Sequence, residues 1–136
     1  MADHTTAQKI NIIGCPIREL PRDLSALELE ASHTNLESLP SDLKALFLNI
    51  DSTNVAEIPE NIQVKRLVMT NTHVHTIHYS EHLSEIIVNH PVQCIHPNID
   101  NSIIKGMSEK DIKFAKNRYR RCQQQLLAKL ANDRVG

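Results

Sequence analysis

A short block, apolar-x-x-apolar, returns in this chain at constant spacing, and three of its four copies are followed by Pro. Ile17, Leu36, Val55 and Val74 open the blocks, and Leu20, Leu39, Ile58 and Ile77 close them. Each column advances by nineteen positions per copy. Pro21, Pro40 and Pro59 come next, and Leu24, Leu43 and Ile62 lie three residues further on. Several columns that hold one period are the mark of a stacked-repeat protein, in which each unit buries its apolar side against its neighbours. Such a chain reads as a binding scaffold before it reads as a catalyst.

Each block is preceded by apolar residues in alternation, which predicts a short strand with one buried face. The strands are read at Leu27, Leu29 and Ala31; at Leu46, Leu48 and Ile50; at Leu67 and Met69; and at Ile86 and Val88. Ile10 and Ile12 start the series. One layer per repeat requires the strands to run parallel. With two Phe, two Tyr and no Trp, the layers must be filled by Leu, Ile and Val. With three Gly in all, a Gly-rich phosphate loop is excluded.

With a polar column at Thr34, Thr53 and Thr72, and Cys15 in the same place, the pattern resembles the leucine-rich repeat family over residues 7–99. The Leu-Pro pairs resemble the short repeats of some bacterial effectors more than long animal repeats. The resemblance implies an α/β solenoid of about five repeats, with a parallel strand arc and a turn side chain that satisfies backbone groups. It implies that the inner strand surface is the ligand face. Effectors of this kind can carry a ubiquitin-ligase domain, for which the segment after Ile99 is too short.

The pattern loosens after the fourth block. His78 replaces Pro, Leu83 departs from the earlier spacing, and Val92 and Ile95 follow Val74 and Ile77 one position too soon. This fifth repeat is irregular, as terminal repeats are. Residues 96–107 read as a loop. From Ser108, a near capping box with Asp111, apolar residues at Ile112, Ala115, Tyr119, Cys122, Leu126 and Leu130 define one face of a helix over about 109–131, with Phe114 and Leu127 beside it. The division is a repeat domain over 1–107 and a C-terminal amphipathic helix over 108–136. The helix is expected to cap the open end of the stack; at roughly 34 Å it is long enough to overhang it, and the alternative reading is a cap that also offers a surface for a partner or for self-association.

Strand parity turns three columns outward: Lys9, Glu28, Phe47, Arg66 and Glu85; Asn11, Glu30, Asn49, Val68 and Ile87; Ile13, Ser32, Asp51, Thr70 and Asn89. Phe47, Val68 and Ile87 form an apolar centre among charged neighbours, the anatomy of a protein interface. The expected partner-binding residues are Glu28, Glu30, Phe47, Asn49, Asp51, Arg66, Val68, Thr70, Ile87 and Asn89. The function expected is a non-enzymatic protein-binding module, such as a pathogen or viral factor that masks a host protein, or a subunit adaptor.

Charge supplies the alternative. Residues 1–108 hold 7 basic and 13 acidic side chains, a net of −6, whereas residues 109–136 hold 8 and 3, a net of +5. The basic helix face, with Lys113, Lys116, Arg118, Arg120 and Arg121 and with Lys129 further on, offers a site for nucleic acid or an anionic membrane. His73, His75, His78, His82, His90 and His96 gather near Cys94, but their spacing matches no closed metal site, and neither a metal nor another cofactor is expected. They do offer a pH-sensitive surface. No catalytic motif is found. Cys15, Cys94 and Cys122 are odd in number and far apart, and read as reduced thiols of a cytoplasmic protein. No secretory leader or membrane-spanning run is read.

Overall fold

A computed structural model describes residues 7–135, with side chains from 8 to 131. The strands in chain order are β1 (Ala7–Asn11), β2 (Ser25–Glu30), β3 (Lys44–Asn49), β4 (Glu57–Ile58), β5 (Gln63–Val68), β6 (Thr76–Ile77), β7 (Glu85–Ile87), β8 (Cys94–Ile95) and β9 (Ile104–Lys105). The helix α1 (Glu109–Val135) follows. The chain is a parallel β-solenoid of about five turns closed by this helix. A six-stranded sheet, in the order β1-β2-β3-β5-β7-β9, forms one wall, and β4-β6-β8 form a second, shorter one.

The repeat length is the register. Glu28 pairs with Phe47 and Phe47 with Arg66, each one full repeat along the chain. In the short sheet β4 and β6 keep the full step, with Glu57 opposite Thr76, and only between β6 and β8 is it one residue less, with Thr76 opposite Cys94 and Ile77 opposite Ile95. The shortened fifth repeat therefore keeps its place in the stack by losing one residue between its strands. Ile86 pairs with Ile104 at the same shortened step.

That last pair corrects one expectation. Residues 96–107 are not all loop: a 3-10 turn at Asn101–Ile103 leads into β9, a sixth strand on the main sheet. Gly106 makes this closure possible. Its φ is +100°, and a Cβ there would lie 1.8 Å from the Val88 carbonyl oxygen. No other residue fits so close a backbone approach.

The core lies between the two walls. Leu29, Leu48, Leu67 and Ile86 from one wall meet Ile58, Ile77 and Ile95 from the other, all fully buried. Each such side chain contributes about 1.5–3 kcal/mol by leaving water.

A second correction concerns Leu27 and Leu46, which are 42% and 55% exposed. The buried column is Ala26, Ala45, Val64 and Leu83, so two successive outward residues separate Ala26 from Leu29. Simple alternation breaks within β2 itself, at Leu27 and Glu28. Leu83 belongs to this column, one full repeat after Val64, and is in register.

Between strands and blocks the turns repeat as well. Gly14, His33, Ser52 and Asn71 share left-handed φ values of 77°, 55°, 57° and 52°. The threonine column then binds back to the strand: Thr34 Oγ1 donates to Ala31 O at 2.9 Å, Thr53 to Ile50 O at 2.7 Å and Thr72 to Met69 O at 2.9 Å. Buried hydroxyls satisfied in this way hold the turn at little cost.

Candidate functional site

The outward face of the six-stranded sheet brings together the residues expected on it. Lys9, Glu28, Phe47, Arg66 and Glu85 lie in one row across five strands. Asn11, Glu30, Asn49, Val68 and Ile87 form the next row, and Lys105 of β9 extends it. Phe47, Val68 and Ile87 are each half-buried rather than fully exposed. Val68 and Ile87 are direct cross-strand neighbours, and Phe47 lies diagonal to Val68.

The first row is tied by ion pairs. Arg66 Nε lies 2.9 Å from Glu85 Oε1, and its guanidinium carbon stands 5.8 Å from the centroid of the Phe47 ring. A cation held over an aromatic face in this way adds attraction beyond the charge pair. Lys9 and Glu28 approach to 4.0 Å. These pairs are well solvated, and each adds little to stability.

The third row is different. Ser32 is buried. Asp51 accepts from Thr70 Oγ1, from Asn71 Nδ2 at 3.1 Å and from Ser52 Oγ at 3.3 Å. The Thr70 hydroxyl, above all, holds the Asp51 carboxyl below its ordinary range. Asn89 Nδ2 donates to Asn71 Oδ1 at 3.0 Å, and its own oxygen accepts from the Asn71 backbone at 2.8 Å. Asn49 spans both roles, donating to Glu30 at 3.1 Å and accepting from the Asp51 backbone at 2.9 Å. Asp51, Thr70 and Asn89 are thus committed to the turns. The side chains with capacity to spare are Glu28, Glu30, Phe47, Arg66, Val68 and Ile87.

Reading the sequence by parity missed one feature of this region. Leu27 and Leu46, with Lys44, Lys65 and His82 nearby, line an open depression of about 440 Å³ at the start of the strands. Lys65 and Ser84 hold the same column in later repeats, and these polar residues are the signal that the column faces outward.

The other surface is α1. Its first turns are docked: Ile112, Ala115 and Tyr119 are buried, and Ser108 Oγ accepts from Asp111 N at 3.1 Å as the cap. Tyr119 shares a 2.8 Å hydrogen bond with His78 Nδ1 and meets the rings of His78 and His96 edge-on at 5.6 and 5.1 Å. Burial raises the Tyr119 hydroxyl above its ordinary value and lowers His96 below its own. His78 also faces Glu57 at 4.0 Å. His90 instead contacts Thr72 at 3.2 Å, and His75 contacts Thr76 at 2.7 Å. The histidines thus divide among several small contacts, and among the described residues no three His, Cys, Asp or Glu side chains converge on a metal position.

Past Tyr119 the expected apolar stripe is not covered. Leu126, Leu127 and Leu130 are 58%, 66% and 46% exposed, and Phe114 is exposed as well. The helix is 27 residues long, about 40 Å, against roughly 24 Å for six strands. Its second half is exposed, although Cys122, Gln123 and Leu126 still line a cavity against Thr76, His78 and Cys94.

Of the basic residues, Lys113, Arg118, Arg120, Arg121 and Lys129 are exposed. Lys116 is not free: its ammonium donates to the Ile99 carbonyl and to Asn101, and burial lowers its pKa. It anchors the docked half to the loop before β9. No helix among the described residues is long and apolar enough to cross a membrane.

Compared with protein-family models, curated proteins and solved structures, the chain matches none.

Proposed function

We propose that this chain is a non-catalytic protein-binding module of the leucine-rich repeat kind. On this reading it engages a partner protein through the outward face of the six-stranded sheet. The observation that carries the reading is the apolar group Phe47, Val68 and Ile87, half-exposed at the centre of a charged sheet face. A solvated sheet gains little from such residues, whereas an interface uses them as anchors. Glu28, Glu30, Arg66 and Glu85 around them set orientation and encounter rate. The mechanism is occlusion or recruitment of the partner.

The test is affinity capture from lysate with the wild-type chain and a Phe47→Asp, Ile87→Asp variant, read by mass spectrometry. Circular dichroism checks that the variant remains folded. A protein recovered only by the wild type supports the sheet face. The same set recovered by both baits sinks it.

A second reading rests on the exposed face of α1, where Leu126, Leu127 and Leu130 are exposed along with Arg118, Arg120, Arg121 and Lys129. A basic helix with a bare apolar stripe suits an anionic membrane surface. Co-flotation with phosphatidylserine vesicles that is lost in an Arg118→Glu, Arg120→Glu, Arg121→Glu variant supports it. Equal flotation of both chains removes it. Retention of duplex RNA with steep salt dependence points instead to nucleic acid.

A further inference from the structure

Between Cys94 and Cys122 the chain runs from the last strand of the short sheet, around β9, and back along α1. Both cysteines line one cavity of about 290 Å³, together with Thr76, His78, Tyr119 and Leu126. The Cys122 thiol lies near enough to Cys94 to bear on its titration. Neither side chain is left to find the other by diffusion. Cys94 is held on β8 by its pairing with Thr76. Cys122 lies three residues beyond Tyr119, whose bond to His78 fixes that turn of the helix.

We propose that Cys94 and Cys122 form a reactive dithiol, which exchange with a small-molecule disulfide closes into a covalent staple between β8 and α1. Their accessibility orders the steps. Cys122 is exposed and Cys94 is half-buried. Burial, together with the neighbouring thiol, also raises Cys94 above its ordinary value. Cys122 therefore reacts first. Its thiolate attacks one sulfur of the small disulfide, the S–S bond breaks, and one small thiol leaves with the proton Cys122 gave up. Cys94 then loses its proton, attacks the Cys122 sulfur of the mixed disulfide and expels the second small thiol, which takes that proton. Two protein thiols and one disulfide become one protein disulfide and two small thiols. The Arg118 charge, one turn before Cys122, favours the Cys94 thiolate in the second step.

The staple lies where the docked half of α1 ends. It extends the fixed part of the helix by a turn and narrows the cavity beside Leu126. Oxidation would thus reset the starting point of the free segment.

The experiment uses the full chain with Cys15→Ser, incubated with oxidised glutathione. The expected product has lost two hydrogens, gives a linked peptide pair containing Cys94 and Cys122, and exchanges its amide hydrogens more slowly over residues 120–131 than the reduced chain. Adding Cys94→Ser should halt the reaction at a glutathione adduct on Cys122, with circular dichroism unchanged. A stable adduct in the Cys15→Ser chain without an internal link overturns the proposal. So does a disulfide between two chains, or no reaction at all. An internal link with unchanged exchange over 120–131 overturns the staple.

Discussion

The two halves of α1 have similar sequence character and opposite surroundings. Residues 109–119 bury Ile112, Ala115 and Tyr119 against the last turns of the solenoid. Residues 120–131 are exposed throughout, although Leu126, Leu127 and Leu130 are more apolar than anything in the docked half except Ile112 and Phe114. A helix of about 12 residues is marginal alone, so the free half persists as an extension of the docked one. Apolar periodicity announces a face and says nothing of whether the same chain covers it.

The largest effect that would break this comparison comes from trimming each half in turn. Ile112→Ala should lower stability by about 2–4 kcal/mol, and Leu126→Ala by under about 0.5 kcal/mol, both read from urea unfolding. Equal losses would mean that the free half is packed in solution.

Gly106→Ala comes next. It places a Cβ against the Val88 carbonyl at a left-handed φ, and should cost upwards of about 2 kcal/mol by displacing β9, the strand that leads into the docked half. A neutral result would separate α1 docking from β9.

The docked half should also feel acid. His96 titrates below its ordinary value of 6.5 because burial disfavours its charge. Its contribution is complete above pH 6.5 and is lost as pH falls from there through the folded-state value, since the unfolded chain takes up the proton first. The Tm should fall as pH drops below 6.5, and His96→Gln should flatten that fall. An unchanged slope would place the sensitivity elsewhere. The smallest effect is expected from stopping the chain after Gln123, with Tm within about 2 °C of the full chain. A larger drop would show the free half stabilising the stack.

The solenoid was legible because its period is its register: the strand pairs through Glu28, Phe47 and Arg66 follow from adding one repeat length to each position. β9 was hidden because the count is one short there, and two residues, Ile104 and Lys105, are too brief a run to show alternation. Leu27 and Leu46 misled because Leu29 and Leu48 beside them alternate perfectly, whereas Lys65 and Ser84 in the same column marked it as outward. At the candidate site, parity placed the rows of Phe47 and Val68 correctly. It was silent on which polar residues are already spent. That Asp51 and Asn89 serve their own turns depends on side-chain angles, which no spacing encodes.

The nearly constant separation of partners also governs how the chain finds its fold. Pairings across the sheet join residues one repeat apart, or one repeat less a residue, so each new turn closes a loop of the same modest length against a surface already formed. Assembly becomes a sequence of similar, local steps. The His78–Tyr119 bond spans 41 residues and belongs to a different order of event. So distant a contact is expected to form after the local pairings, with helix docking completing folding rather than beginning it.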